Sequence, residues 1–483
     1  MPEAFGSFDL ISTDGVRRLH EASLSILEET GVKILEQNAL KLLGDNGAEV
    51  NHQNNIAKLP SDLVKKSLKK CPSTYRMYGR DGKRYCELGD GKLHTRSNLG
   101  RRYVVDAFAG ERRPATWKDL EDGIKLIEGL KNVEMTSAPV TPQDIEPAMR
   151  DIYQWYAVFK NSVKPISGPY TYSSLSARFI FKMAETVCGG EKELQERPVV
   201  RYFQCESVTP LVYNRTAMEI LFEYAKRNLP VVFAPMGMAG GTAPATLAGA
   251  VALLNAEILA GITVGQLLCP GLRVSYGSNS SILDMKTAAF ANGAPEMGLL
   301  AMLLGSLSRY YELPFFAISN VSDALRPDSQ ASVEKTLSAL SAMLAGAEVG
   351  GVGYIGNEAF SYEQAVIDDE ILGAVFRIAE GVEISEETLA LEVIKSVGPG
   401  GNYLKHKHTR DHFRREQWNP EIFNRKRWET WEREGKKTIL QRAKERSDQL
   451  IASHKVEPLP SEVDRELKII ISAAENQLVK QKK

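Results

Sequence analysis

Aromatic rings and carboxylates recur just past short apolar runs in this chain. Tyr170 and Tyr172 form one such set, Gln204 and Glu206 a second, and Tyr276 with Asn279 and Asp284 a third. Asn320, Asp323 and Asp328 follow, and then Tyr354 and Phe360. Ring quadrupoles and anionic oxygens both attract positive charge once water is excluded, so residues of these types gathered at one face form a receptacle for an organic cation.

Three other motifs point to different chemistry. Gly351-Val352-Gly353-Tyr354-Ile355-Gly356 spells a dinucleotide fingerprint, but that fingerprint needs a complete strand before its first glycine and a helix opening at its last. Here the glycines fall inside a predicted strand, which favours close backbone approach to a ligand or neighbour. The loop Met236–Thr242 is rich in glycine and precedes a helix, as a phosphate cradle would, yet no Lys-Ser/Thr completes a P-loop. His406, His408 and His412 have a spacing that suits zinc, but Lys405, Lys407, Arg410, Arg414 and Arg415 surround them. A dication among cations is electrostatically unfavourable, so a basic solvated face, or a surface for an anionic partner, is the expected reading and no metal is expected.

The elements that must position these residues alternate. From about Lys92 to Glu380, eight apolar segments each precede a helical stretch, the cadence of a parallel (β/α)8 TIM barrel with chemistry at the C-terminal ends of its strands. The strands are expected at 93–98, 133–138, 165–170, 199–206, 231–236, 272–277, 315–320 and 349–354. Residues 1–91 read as an N-terminal helical cap, with helices starting near Thr13 or Asp14, at Asn38 and after Pro60. Residues 92–381 form the barrel and 382–483 a C-terminal helical extension ending in a helix from Ser461.

Sixty basic residues against sixty-one acidic ones leave a net charge of −1, which gives no global attraction to nucleic acid or an anionic membrane. The first residues lack a signal-peptide pattern and no uninterrupted apolar run of membrane-spanning length is expected, so the expectation is a cytoplasmic protein. The cysteines, Cys71, Cys86, Cys188, Cys205 and Cys269, contain no C-x-x-C pair and read as reduced thiols.

Several separated motifs carry a resemblance. Ser322-Asp323-Ala324 with Asp328 and Gln330, Glu334-Lys335, Phe360-Ser361-Tyr362-Glu363-Gln364 and Val366-Ile367-Asp368-Asp369-Glu370 resemble the trimethylamine methyltransferase family. Arg112–Thr116 and, in the tail, His408-Thr409, Trp418-Asn419-Pro420 and Trp431–Gly435 agree with it. The resemblance implies a barrel enzyme that passes a methyl group from a methylated amine to the Co(I) state of a corrinoid carried by a partner protein docked at the barrel mouth. It implies no tightly bound cofactor, and a homo-oligomer is expected.

The trimethylamine enzymes of that family carry pyrrolysine, whereas this chain uses only the twenty standard residues. The resemblance therefore points to the branch without it, whose donors are quaternary amines such as glycine betaine, proline betaine or carnitine. On that reading Tyr170, Tyr276, Tyr354 and Phe360 are the expected cation cage, and Glu206, Asp323 and Gln204 supply polar orientation. Asn98, Asn320 and the backbone N–H groups of Gly237 to Gly241, Gly240 included, are candidate donors to a carboxylate or cofactor. Glu206 with Asp323 as the acid and base of a lyase or hydrolase, and a non-catalytic betaine-binding module, are the alternatives.

Overall fold

The structure, a computed structural model, describes residues 10–356, 358–453 and 455–479. A parallel sheet joins Thr95–Ser97, Glu348–Val352, Phe315–Ala317, Val274–Ser278, Val231–Phe233 and Tyr202–Cys205 in that order. Parallel bridges extend it from Arg96 to Met135 and from Thr136 to Ile166. The two segments so added complete the eight staves of a TIM barrel. Where the circle turns back toward Tyr202, Arg201 Nε donates to the carbonyl of Ser167.

One barrel helix follows each stave: Trp117–Gly129, Arg150–Asn161, Ser174–Cys188, Arg215–Lys226, Leu247–Leu268, Pro295–Tyr310, Ser329–Leu344 and Tyr362–Ala379. Their starts are written locally. Thr116 and Asp119 form a reciprocal capping box, Asp328 accepts from Ala331 N, and Pro295 occupies a first turn where no N–H is missed.

Leu247–Leu268 is long and apolar enough to cross a membrane by length and composition, although Asn255 and Glu257 interrupt it. Its apolar character has another reason. One side lies on the barrel strands and the other against the N-terminal helices Thr13–Ser25 and Ser61–Leu68, so every face meets protein.

The N-terminal helices, Gln37–Asp45 among them, stand where expected, although Ser12 rather than Thr13 or Asp14 caps the first by accepting from Gly15 N at 3.2 Å. The region is not purely helical, however. Val32–Ile34, Glu49–Asn51 and Ile56–Lys58 form a sheet with Val212–Tyr213, and Tyr75–Tyr78 pairs with Tyr85–Leu88. Strands of three residues are too short to display a period of two.

The second hairpin seals the N-terminal end of the barrel, with Tyr75, Met77, Cys86 and Leu88 packing on Met135. Tyr75 Oη bonds Ser275 Oγ at 2.7 Å. Buried Glu348 accepts from Arg201 Nη2 at 2.6 Å and Nη1 at 3.0 Å and lies 3.2 Å from Arg96 Nε. Beside them His94 contacts Glu134 at 2.7 Å and Asp90 at 3.0 Å. Burial alone would lower the His94 pKa, but the two carboxylates outweigh it and hold it at about 9.

The C-terminal extension wraps the helix layer. Ile439–Ser453 packs on Tyr362–Ala379 and Trp117–Gly129, and Ser461–Leu478 on Ser174–Cys188 and Arg150–Asn161. In the basic stretch, His406 Nδ1 accepts from His408 N at 3.1 Å, and His408 stacks on His412 at 4.2 Å. Arg415 pairs with Glu383, and Lys407 with Asp411. Local carboxylates thus offset much of its charge.

Candidate active site at the barrel mouth

Two β-bulges shape the C-terminal end of the barrel. Val231 opposes Tyr202 but Phe233 opposes Cys205, so the fourth stave carries an extra residue, and Gln204 there has φ +65°. Val349 opposes Thr95 and Val352 opposes Ser97, so the eighth stave also bulges, with Gly351 at φ +97°. A Cβ on Gly351 would lie 2.2 Å from the Ser319 carbonyl, which explains the glycine by close approach of neighbouring strands. These staves face each other across the barrel, and their bulges re-aim the residues that follow, Glu206 and Tyr354.

Burial raises the Glu206 carboxyl to about 7, although Asn279 Nδ2 donates to it at 3.3 Å. Its loop is anchored from behind by Glu257, which accepts from Leu211 N at 2.6 Å and Thr209 Oγ1 at 2.9 Å. Tyr170 packs on Leu99, Val232, Ala234 and Phe316 inside the barrel. It also walls a cavity of about 480 Å³, shared with Gly100, Arg101, Thr141, Arg150 and Tyr172. Arg101 Nε donates to the Leu99 carbonyl at 2.8 Å, and its guanidinium stands 4.8 Å from the centre of the Tyr354 ring.

Polar side chains are left without protein partners at this end. Among the described residues, buried atoms with no hydrogen-bond partner include Ser97 Oγ, Asn98 Nδ2, Ser137 Oγ, Asn279 Oδ1 and both amide atoms of Asn320. All stand at or just past the C-terminal ends of staves. A buried amide with no partner costs free energy, so such a set is expected where a ligand completes the bonding.

The chain matches the trimethylamine methyltransferase (MTTB) family over residues 2–478. It is 32% identical over 473 residues to the trimethylamine methyltransferase MttB of Desulfitobacterium hafniense, covering 96% of this chain and 94% of that protein. The chain belongs to the trimethylamine methyltransferase family. It is also 31% identical to a glycine betaine methyltransferase of Desulfitobacterium hafniense, covering 98% of both chains. In fold it resembles the monomethylamine methyltransferase MtmB of Methanosarcina barkeri, with a TM-score of 0.51, 12% identity, and coverage of 96% of this chain and 89% of that one.

In this family member several expected site residues do other work. Tyr276 is directed outward: it is fully buried, its hydroxyl donates to Asn255 Oδ1 at 2.9 Å, and its ring packs on Tyr311 and Phe315. Strand alternation puts Ser275 and Gly277 inside the barrel and Tyr276 against the helices. Phe360 is also core, fully buried against Gly353, Gly123 and Tyr362. Asp323 accepts from the backbone of Asn292 and Gly293, both at 2.8 Å, so its carboxylate fastens a loop.

The glycine loop offers no cradle. Gly237 N donates to Ser280 Oγ, Gly240 N to the Ala243 carbonyl and Gly241 N to the Met238 carbonyl. Tyr170, Tyr354, Glu206, Gln204, Asn98 and Asn320 lie at or just past the C-terminal ends of staves, and of these Tyr170 lines the cavity.

The family-like motifs form the scaffold behind it. Buried Lys335 Nζ donates to the Asn320 carbonyl at 2.7 Å and to Asp368 Oδ2 at 2.9 Å. The same Asp368 oxygen accepts from Gly353 N at 2.7 Å. One ion pair therefore ties the ends of the seventh and eighth staves together. Arg101 was missed by sequence reasoning. Its signal was Gly100-Arg101 one residue beyond the first expected strand.

Proposed function

We propose that this chain takes a methyl group from a small quaternary amine, with glycine betaine favoured, and passes it to the Co(I) corrinoid of a partner protein at the barrel mouth. The observation that carries the reading is the mouth cavity walled by Tyr170, Tyr172 and Arg101, with Glu358 the carboxylate in the same lining. A ring face and a carboxylate receive the ammonium, and a guanidinium suits the far end of a betaine.

A quaternary nitrogen already carries the charge that makes a neutral amine the leaving group. Cobalt supplies the electron pair of the new carbon–cobalt bond, and the pair of the breaking carbon–nitrogen bond stays on nitrogen. No proton is needed, so the chain's task is to bind, orient and exclude water. The absence of pyrrolysine is consistent with a donor that needs no prior activation. Asp323, held by two backbone N–H groups, is a poor partner for Glu206 in an acid and base pair. The exposed Arg102, with Arg101 and Arg150, gives the rim a positive charge suited to an acidic docking surface.

Incubation with glycine betaine and Co(I) cobalamin should yield dimethylglycine together with methylcobalt absorbance. Dimethylglycine formed without cobalt, or trimethylamine demethylated more efficiently than glycine betaine, would overturn the reading.

A further inference from the structure

We infer that Arg101 selects zwitterionic donors by receiving the carboxylate end of the substrate, an inference that rests on the methyl-donor reading above. Among the contacts that hold the guanidinium are its Nε bond to the Leu99 carbonyl and the face of Tyr354. A planar fork fixed in this way is organised in advance for a carboxylate. Gly100 makes room for it. Its φ is +51°, and a Cβ there would lie 2.7 Å from the Tyr170 ring and 2.9 Å from Thr141 Oγ1, so a side chain would crowd the wall that ring and guanidinium share.

The charges around Tyr170 are asymmetric. Its phenol feels Arg101 and Arg96 as cations and Glu206 as an anion. A donor with only positive charge meets repulsion from Arg101. A betaine can align with that field, its carboxylate on Arg101 and its methylated nitrogen toward the Tyr170 ring. The arginines Arg101, Arg102 and Arg150 line this cavity with one carboxylate, Glu358, a balance suited to an anionic group rather than a bare cation.

Titration of wild type, Arg101→Gln and Arg101→Lys with glycine betaine and with choline tests the assignment by calorimetry, with turnover of glycine betaine by wild type followed in parallel. Choline keeps the trimethylammonium and replaces the carboxylate by a neutral group. Wild type should bind glycine betaine at least about tenfold more tightly than choline. Arg101→Gln should weaken glycine betaine by about 10- to 100-fold, the range of a lost charge-assisted pair, and leave choline within about threefold. Arg101→Lys should recover part of the loss.

Equal losses for both ligands in Arg101→Gln, or an unchanged affinity for glycine betaine, would overturn the inference while turnover by wild type leaves the methyl-donor reading standing. A wild type that neither binds nor demethylates any betaine defeats both. If Arg101→Gln does not fold, Arg101→Lys carries the test, since losing the fork should weaken glycine betaine severalfold and spare choline.

Discussion

The two ends of the barrel are built on opposite rules. At the N-terminal end, polar groups bond one another: Arg201 and Arg96 share Glu348, Tyr75 meets Ser275, and His94 sits between Glu134 and Asp90. At the C-terminal end, Asn98, Asn279 and Asn320 keep buried amide atoms without partners, and Gln204 and Asn320 adopt positive φ. The first arrangement adds stability. The second withholds bonding capacity that a ligand can take up, and a rigid closed end is what allows the other end to carry that cost.

The largest expected effect comes from breaking the closed end. Glu348→Gln removes the charge shared by two buried arginines and should lower unfolding free energy by about 3–5 kcal/mol in denaturant titration. A loss under about 1 kcal/mol would show that the network is not the stabiliser described here.

Each end also has its own titration. The His94 pKa is raised, so its stabilisation is complete below about pH 6.5 and is lost as pH rises through about 9. Discounted for the half-exposed Glu134, this is about 1–2 kcal/mol and should vanish in His94→Asn. Glu206 is likewise raised, to about 7. Below that pH it is neutral, so affinity for glycine betaine should improve up to about tenfold from pH 6 to 8, and Glu206→Gln should flatten that profile without touching the alkaline loss of stability.

Tyr170→Leu keeps much of the apolar volume and deletes the ring. It should raise the dissociation constant for glycine betaine about two- to thirtyfold, and weaken a neutral tert-butyl analogue much less. Equal weakening of both would remove cation–π attraction from the account. The smallest change is expected from Asn320→Gly, which accepts the same φ and removes an amide that has no partner in the free protein. Unfolding free energy should move by under about 1 kcal/mol while betaine affinity falls severalfold, and the reverse pattern would return Asn320 to a structural role.

The staves were legible because parallel strands covered on both faces read as apolar runs. Tyr276 and Phe360 misled because lying near a strand end does not say which face a ring takes, although the small residues at 275 and 277 carried that information. The place of Asn98 and Asn320 at strand ends was readable from the sequence, whereas their unpartnered amide atoms show only in the structure. The bulges at Gln204 and Gly351 were not readable, since an extra residue in one strand shows only against its partner. Arg101 was obscured because a search for a cation site passes over cations.

The enclosed helix Leu247–Leu268 also governs when this chain can fold. Thr13–Ser25 and Ser61–Leu68 leave the ribosome long before the surface they pack on, and Val32–Ile34 must wait for Val212–Tyr213. At about 5–20 residues per second, the roughly 180 residues between those strands take on the order of 10–35 s to make. The first stave closes only on the eighth, later still. Through most of synthesis the N-terminal segment therefore holds apolar faces with no native mate, which makes the nascent chain a natural client for chaperones and its solubility sensitive to translation speed.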